Sequence, residues 1–475
     1  MVRHAETPAR SPGPDAGAGL PRPLVGDEIT VACADGVDRR YLNLDSAAST
    51  SALPGVAQRV EEFLPLYSSV HRGAGFKSQY STDAYEQARE AAVRFAGRRE
   101  PGADVAIICR NTTEAINHLA YRLGLRPDET VVTTVVEHHA DLLPWGRLCR
   151  REFVECDATG TFDLDGVART LERAERPRLL AITGASNVTG WQPPVAGAVE
   201  LAHERGIPVL VDGAQLAPHR ALPPSADFVV WSGHKMYAPF GAGVLIGPRR
   251  VFATGDPFLA GGGAVDLVDL DEVAWSQPPE REEAGSPNVM GAVALHAAME
   301  ELSSIGFPAI EAHDDAIAVR LRGGLAAIPG VRLLGPDPAV PTLPIAAFEV
   351  AGVPHGLVAA RLSYEFAIGV RHGCFCAHPY LMRLLGLGPE EIAAYRRAVR
   401  RGDRRAVPGA VRASAGINTS AGDVDRLLGA VALIASGAPA PFAYAQDPAS
   451  GDYRPPAGRA PWELSGPTGS PCSVG

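Results

Sequence analysis

The sequence predicts an α/β fold with a mainly parallel sheet, followed by a smaller α+β unit. Three observations predict it. Short, apolar, β-branched runs recur between residues 105 and 247, and amphipathic helical patterns such as VAGAVELAHERG (195–206) lie between several of them. After about residue 290 the order changes, and helical patterns lead into isolated strand-like pieces. Continuous rather than alternating apolar runs mark strands covered on both faces, as a parallel sheet flanked by helices requires.

The first run is VAIIC (105–109), followed by Asn111-Thr112-Thr113-Glu114 and then AINHLAYRLG. A threonine ahead of a helical pattern is a good N-cap, and Glu114 suits the positive end of a helix. TVVTTVV (130–136), LLAITG (179–184), PVLVDGAQ (208–215), DFVVWSG (227–233) and GVLIG (243–247) are the further strand candidates. Beyond them, AVALHAAMEELSSIG and DDAIAVRLRGGLAAI read as helices, VRLLG and IAAFEV as strands, and GLVAARLSYEF as a helix before AIGVRHG. The expected organisation is a disordered tail over 1–25 and a large domain over 26–295, its first residues packing with the small domain. A small domain over 296–435 and an extended tail over 436–475 follow. Both tails are expected from their Pro- and Gly-rich composition.

With 475 residues, 46% hydrophobic and 21% charged, the chain has ample material for a large core. A net charge of −10 without a basic block argues against nucleic-acid binding. No apolar run reaches the roughly 18 residues that span a bilayer, and the first 25 residues lack the apolar stretch of a secretory signal. Seven cysteines, an odd number in a long chain, fit reduced thiols and a cytoplasmic location better than a disulfide framework.

Three features fall where an open parallel sheet binds ligands, beyond the C-terminal strand ends. Asp212 ends PVLVD, Ser232-Gly233-His234-Lys235 follows DFVVW, and Thr112-Thr113 opens a helix after VAIIC. The helix start is a phosphate cradle, the aspartate can face a cationic heterocycle, and the lysine can form an imine. Together these meet the needs of pyridoxal 5′-phosphate. Of 44 basic residues only Lys77 and Lys235 are lysines, so only two amine side chains are available.

In this order the motifs resemble the class V aminotransferase-fold pyridoxal-phosphate enzymes, and within them the group II cysteine desulfurases and selenocysteine lyases. LDSAAS (44–49), VHRGAG (70–75), RNTTEAIN (110–117), EHHADLLPW (137–145), SNVTG (186–190), VDGAQ (211–215), SGHKMYAPFGAGVL (232–245), EEAGSPN (282–288), RHGCFCAHP (371–379) and VRAS (411–414) carry the resemblance. It implies the fold type I transferase architecture and a homodimer. By the same resemblance, Lys235 would hold the cofactor and move protons, Asp212 would face the pyridine nitrogen, and Gln215 the phenolic oxygen. His138 would stack on the ring, and Thr112, Thr113, Ser232 and His234 would hold the phosphate. Gly285 and Ser286 would reach the neighbouring subunit's phosphate, while His71 and Arg72 would approach its active site. Asn187 and Arg412 would hold the substrate carboxylate, a task for which the planar guanidinium fork is suited. No metal site is expected.

Cys376 matches the nucleophile position, implying removal of sulfur from L-cysteine to give L-alanine and a persulfide for an unidentified acceptor. Arg371, His372 and His378 are candidates for lowering the pKa of that thiol. The alternative is another reaction of this class that does not use Cys376: an isopenicillin N-type epimerase, a C–S lyase or an aminotransferase. Two departures stand out. Cys374 occupies a position where the group II pattern has histidine; Gly-Cys-Phe-Cys is similar to the molybdenum cofactor sulfurases. It is read either as an inert buried thiol or as a persulfide relay. Residues 386–410 form an Arg-rich helical stretch roughly 20 residues longer than the group II pattern, read either as a solvated helix or as a cover or acceptor dock.

Overall fold

The structure is a computed structural model and describes residues 19–456. Its centre is a seven-stranded sheet. The strands Arg150–Val154, Thr130–Thr134, Pro177–Thr183, Val209–Asp212 and Phe228–Ser232 lie side by side in that order, all parallel. Gly243–Pro248 pairs antiparallel with Phe228–Ser232 on one side and with Asp104–Cys109 on the other. Burial on both faces explains the apolar runs. Along Phe228–Ser232, Val229 and Trp231 enter one core cluster and Phe228 and Val230 the other. Each such buried side chain is worth about 1.5–3 kcal/mol relative to exposure.

The helix expected after VAIIC spans Thr112–Arg122, but its cap is Asn111 rather than a threonine. The Asn111 side chain accepts the Glu114 N–H at 3.0 Å. This leaves both threonines as the first helical residues, with their hydroxyls free for other work. Val289–Ile305 is apolar around its circumference because it is sandwiched, with ten buried residues.

A second, four-stranded sheet runs Val331–Leu334, Ile345–Val350, Ala410–Ser414, Arg371–Gly373, all antiparallel. It has its own core, including Phe348, Val411 and Leu427. The early strand Leu42–Asn43 pairs parallel with Ile368–Gly369, so the start of the chain is stitched to this sheet.

Both expected tails differ from the structure in the parts it describes. Leu24 is buried and the Arg22 N–H donates to the Ile417 carbonyl, so the end of the 1–25 stretch is packed; residues 1–18 lie outside the described residues. The described part of the 436–475 stretch contains a small hairpin, Ala445–Gln446 against Tyr453–Arg454, rather than running extended; residues 457–475 lie outside the described residues. Tyr444 donates to Glu365 at 3.1 Å, and Asp452 pairs with His372 at 3.3 Å. Such short strands in Pro- and Gly-rich sequence carry no periodicity to read. No helix among the described residues is long and apolar enough to cross a membrane.

Candidate active site

A cavity of about 210 Å³ opens where the parallel strands end and the second sheet meets the first. Its wall brings together Thr112, Thr113, His138, Asn187, Asp212, Gln215, Ser232, His234, Lys235, Cys376 and Arg412. These residues span 301 positions of chain, and the sheet gathers them because Asp212 and Ser232 end adjacent strands.

At the floor, Ser232 Oγ lies 2.7 Å from Thr112 Oγ1 and accepts the Thr112 N–H at 2.8 Å. This pair of hydroxyls and the start of the Thr112–Arg122 helix form one polar corner suited to an anion. Asp212 accepts the Ala214 N–H at 2.9 Å, and burial raises its carboxyl pKa. Gln215 donates to the Ala47 carbonyl at 2.7 Å. His138 accepts the Ala140 N–H on Nδ1 at 3.0 Å; burial, then the Lys235 charge, pushes its pKa down to about 3 and holds the ring neutral. His234 is pushed down to about 4 by the same two causes.

Lys235 sits in a single 3₁₀ turn, Gly233–Lys235. Burial lowers its pKa to about 8 against the opposing pull of Asp212. The amine is thus partly unprotonated near neutrality, the state that imine chemistry needs. Lys77, by contrast, lies exposed on the helix Phe76–Phe95, far from any such environment.

The opposite wall is the turn between Arg371–Gly373 and the helix His378–Leu384. Phe375 and Cys376 both adopt left-handed backbone, φ 55° and 53°. Non-glycine residues occupy that region at a cost, and strain of this kind persists only where the surroundings enforce it. The surroundings are visible. Asn187 Nδ2 donates to the Phe375 carbonyl at 2.7 Å, the His139 N–H donates to the Cys376 carbonyl at 2.8 Å, and His378 stacks on His139 at 5.0 Å. Cys376 is exposed to the cavity while Cys374 is half-buried, its thiol pushed up by burial.

Arg412 is 2% exposed and lies over the Phe375 ring at 5.1 Å. It donates to the Asn187 carbonyl at 2.9 Å and to Asp45 at 2.8 Å, leaving its Nε without a partner. Asp45 also meets Arg371 at 3.3 Å. Cys376 is near enough to Lys235 and Arg412 to act on both electrostatically. The expectation that His372 and His378 add positive charge here is corrected: burial lowers both, toward the neutral form. The cations at this wall are Arg371, Arg412 and Lys235.

Four expected residues do not reach this cavity. His71 bonds Glu86 at 3.0 Å, Arg72 donates to the Val265 carbonyl at 2.6 Å, Gly285 donates to the Gly262 carbonyl, and Ser286 is exposed. Sequence reasoning missed Asp45, Phe375 and the buried pair Glu137 and Asp141 behind the floor. Glu137 accepts from Thr134 Oγ1 at 2.7 Å and from the Thr183 N–H at 2.9 Å, and Asp141 from Trp145 at 3.0 Å; one oxygen of each has no partner.

The aminotransferase class-V family matches residues 42–427, most of the chain and all of the cavity wall. The chain belongs to that family. It is a family of pyridoxal-phosphate enzymes. Among curated relatives, the cysteine desulfurase of Cronobacter sakazakii is 34% identical, covering 81% of this chain and 91% of that protein. A probable cysteine desulfurase of Mycobacterium leprae is 38% identical over 72% of this chain and 56% of its own. The apo cysteine desulfurase of Thermococcus onnurineus superposes with a TM-score of 0.74 at 31% identity, covering 84% of this chain and 95% of that one. The Escherichia coli cysteine desulfurase CsdA superposes at 0.69 with 32% identity, covering 82% and 94%. These likenesses establish the fold type I class V architecture that the motifs implied.

Proposed function

We propose that this enzyme removes sulfur from L-cysteine, releasing L-alanine and leaving a persulfide on Cys376. The observation that carries the reading is one cavity holding Lys235, Arg412 and an exposed Cys376 on facing walls. Similarity to proteins named cysteine desulfurase supports it.

The residues present fit pyridoxal 5′-phosphate. Among the described residues no hydrogen bond or ion pair reaches the Lys235 amine, and the buried Asp212 carboxylate, bonded through one oxygen to the Ala214 N–H, lines the same space. Thr112, Thr113, Ser232 and His234 would hold the phosphate, Asp212 the ring nitrogen, Gln215 the phenolic oxygen, His138 the ring face and Lys235 the carbonyl carbon. When bound, the cofactor supplies a carbonyl for the substrate amine and an electron sink for charge developing at the substrate carbon.

Asn187 and Arg412, both in the cavity wall, orient the substrate carboxylate. Lys235 moves the proton at the substrate α-carbon, for which a lowered pKa is suited. Cys376 attacks as thiolate at the substrate sulfur: a bond forms between the two sulfurs, the carbon–sulfur bond breaks, and its electron pair stays with the carbon fragment, which leaves as alanine after protonation. His71, Arg72, Gly285 and Ser286, which this chain keeps away from its own cavity, complete the cavity of the second subunit in a homodimer. The enzyme works in the cytoplasm, where reduced thiols persist.

The test is incubation with L-cysteine, measuring alanine and alkylation-trapped persulfide. Both form in the parent and neither in Cys376→Ser. Full turnover of the amino-acid substrate by Cys376→Ser would transfer the reading to an epimerase, lyase or aminotransferase.

A further inference from the structure

We propose that the exposed arginine face of residues 396–404 docks an acidic surface of the protein that accepts the Cys376 sulfur. The proposal rests on the desulfurase reading and names the chemistry of the partner.

The helix Pro389–Arg400 has no buried residue, although it is 12 residues long and lies in an otherwise well-packed chain. Helices of that length are marginal in water without a packed face. Only Ile392, Ala393, Tyr395 and Ala398 are half-buried, so packing supports one narrow face and leaves the arginines in solvent. Arg396, Arg397, Arg400, Arg401 and Arg404 are all exposed. Their i, i+4 spacing places Arg396 with Arg400 and Arg397 with Arg401 on neighbouring tracks of one face. None of these five makes an ion pair among the described residues; of the nearby carboxylates, Glu391 accepts the Gly388 N–H at 2.8 Å, Asp403 pairs with Arg405 at 2.8 Å and also feels the Arg401 charge, and Glu390 is exposed. Five exposed arginines against Glu390, Glu391 and Asp403 leave an excess of positive charge here on a chain of net charge −10, which complements an acidic partner.

The segment is built on the sulfur-bearing turn at both ends. It follows the helix His378–Leu384, which starts two residues after Cys376. At its far end Gly409 packs so closely on Gly373 that a side-chain carbon there would lie 2.7 Å from the Gly373 Cα. The Val407 carbonyl bonds His355 at 3.1 Å, and His355 meets His372 at 3.2 Å. The C-terminal hairpin clamps the outer side: the Arg404 N–H donates to the Pro448 carbonyl at 2.9 Å, and Gln446 donates to the Arg405 carbonyl at 3.0 Å. A partner seated on these arginines is held on a segment anchored at both ends to the turn that carries the exposed Cys376. Its thiolate then attacks the outer sulfur of the persulfide; that sulfur–sulfur bond forms as the bond to Cys376 Sγ breaks, and the electron pair remains on Cys376 as thiolate. No outside oxidant or reductant is needed.

The experiment uses the full-length holoenzyme and two probe peptides, one with a cysteine flanked by glutamates and one with glutamines in their place. Persulfide transfer to the glutamate peptide should be about tenfold faster at low ionic strength. The advantage should disappear in high salt and in the Arg396→Gln/Arg397→Gln/Arg400→Gln/Arg401→Gln variant. Alanine formation with dithiothreitol as acceptor should stay unchanged in that variant. Equal rates for the two peptides, or an undiminished preference in the variant, would overturn the proposal; so would a change of the variant's oligomeric state, which would make this face a contact between copies. Fluorescence anisotropy of the serine version of the glutamate peptide reads docking without turnover. Its binding to the parent and not to the variant supports the dock even if cysteine is not the substrate. If persulfide forms but the peptide neither binds nor is preferred, the dock alone fails.

Discussion

The two walls of the cavity are built in opposite ways. The cofactor wall stands on the ends of parallel strands whose residues are buried on both faces, and its side chains leave regular backbone or the first turn beyond it. The sulfur wall is a turn with consecutive left-handed residues, held by hydrogen bonds from Asn187 and His139 and by the Arg412 guanidinium over Phe375. The first arrangement fixes geometry for a group that stays. The second presents one exposed thiol that must face the cavity and then an acceptor. The difference predicts that damage to the two walls separates cleanly: loss of cofactor on one side, loss of sulfur transfer with the cofactor retained on the other.

The largest expected effect is at Lys235. Lys235→Arg cannot form an imine, because a guanidinium stays protonated. Turnover should fall by at least about three orders of magnitude, and the visible absorption of the covalently held cofactor should vanish. Lys77→Arg should change neither, so cofactor loss in that variant would remove Lys235 from its role. Next in size is Cys376→Ser, which should keep the absorption band and lose alanine formation by about a hundredfold or more; a colourless Cys376→Ser protein would show that the walls are not independent. Arg412→Lys falls between the walls, since the arginine touches both the cavity and Phe375. A point charge replaces a fork, so KM for L-cysteine should rise about tenfold with a smaller change in kcat. An unchanged KM would take Arg412 out of substrate binding.

The same contrast explains what could be read from the sequence. Asp212, Ser232 and Lys235 were legible because each ends or follows an apolar run, and strand ends in a parallel sheet converge. Cys376 was legible only as part of a motif; its strain and its braces come from residues far along the chain. Asp45 illustrates the limit: its carboxylate meets Arg412 across a separation of 367 residues, and nothing local in LDSAAS indicates that. The arginine stretch was legible as an insertion, but its attachment to Gly373 through Gly409 was not. Asn111 caps the helix at the Glu114 N–H, and Thr112, the next residue, meets Ser232 instead, a partner 120 residues away that no local pattern shows.

The smallest effect tests how rigid the cofactor wall is. Glu137 and Asp141 are both fully buried and each leaves one oxygen without a hydrogen-bond partner, so one proton held between the two carboxyls is the expected state at neutral pH. Burial raises both carboxyls, Glu137 to about 8, with Asp212 adding to the repulsion. A carboxyl raised in the folded state binds more protons there than in the unfolded chain, so its stability contribution declines as pH rises from about 4.5 through 8. His138, lowered to about 3, acts in the opposite direction and only on the acid side, below about 6.5. Asp141→Asn keeps an oxygen for the Trp145 N–H and gives Glu137 a permanent donor in place of the shared proton. The variant should therefore melt higher than the parent at pH 9, by about 1 °C if the gain is on the order of 1 kcal/mol, and the gap should close toward pH 5. Thermal melts across that range check it. Parallel curves would mean that the pair carries no shared proton and that the floor behind Asp212 is held by packing alone.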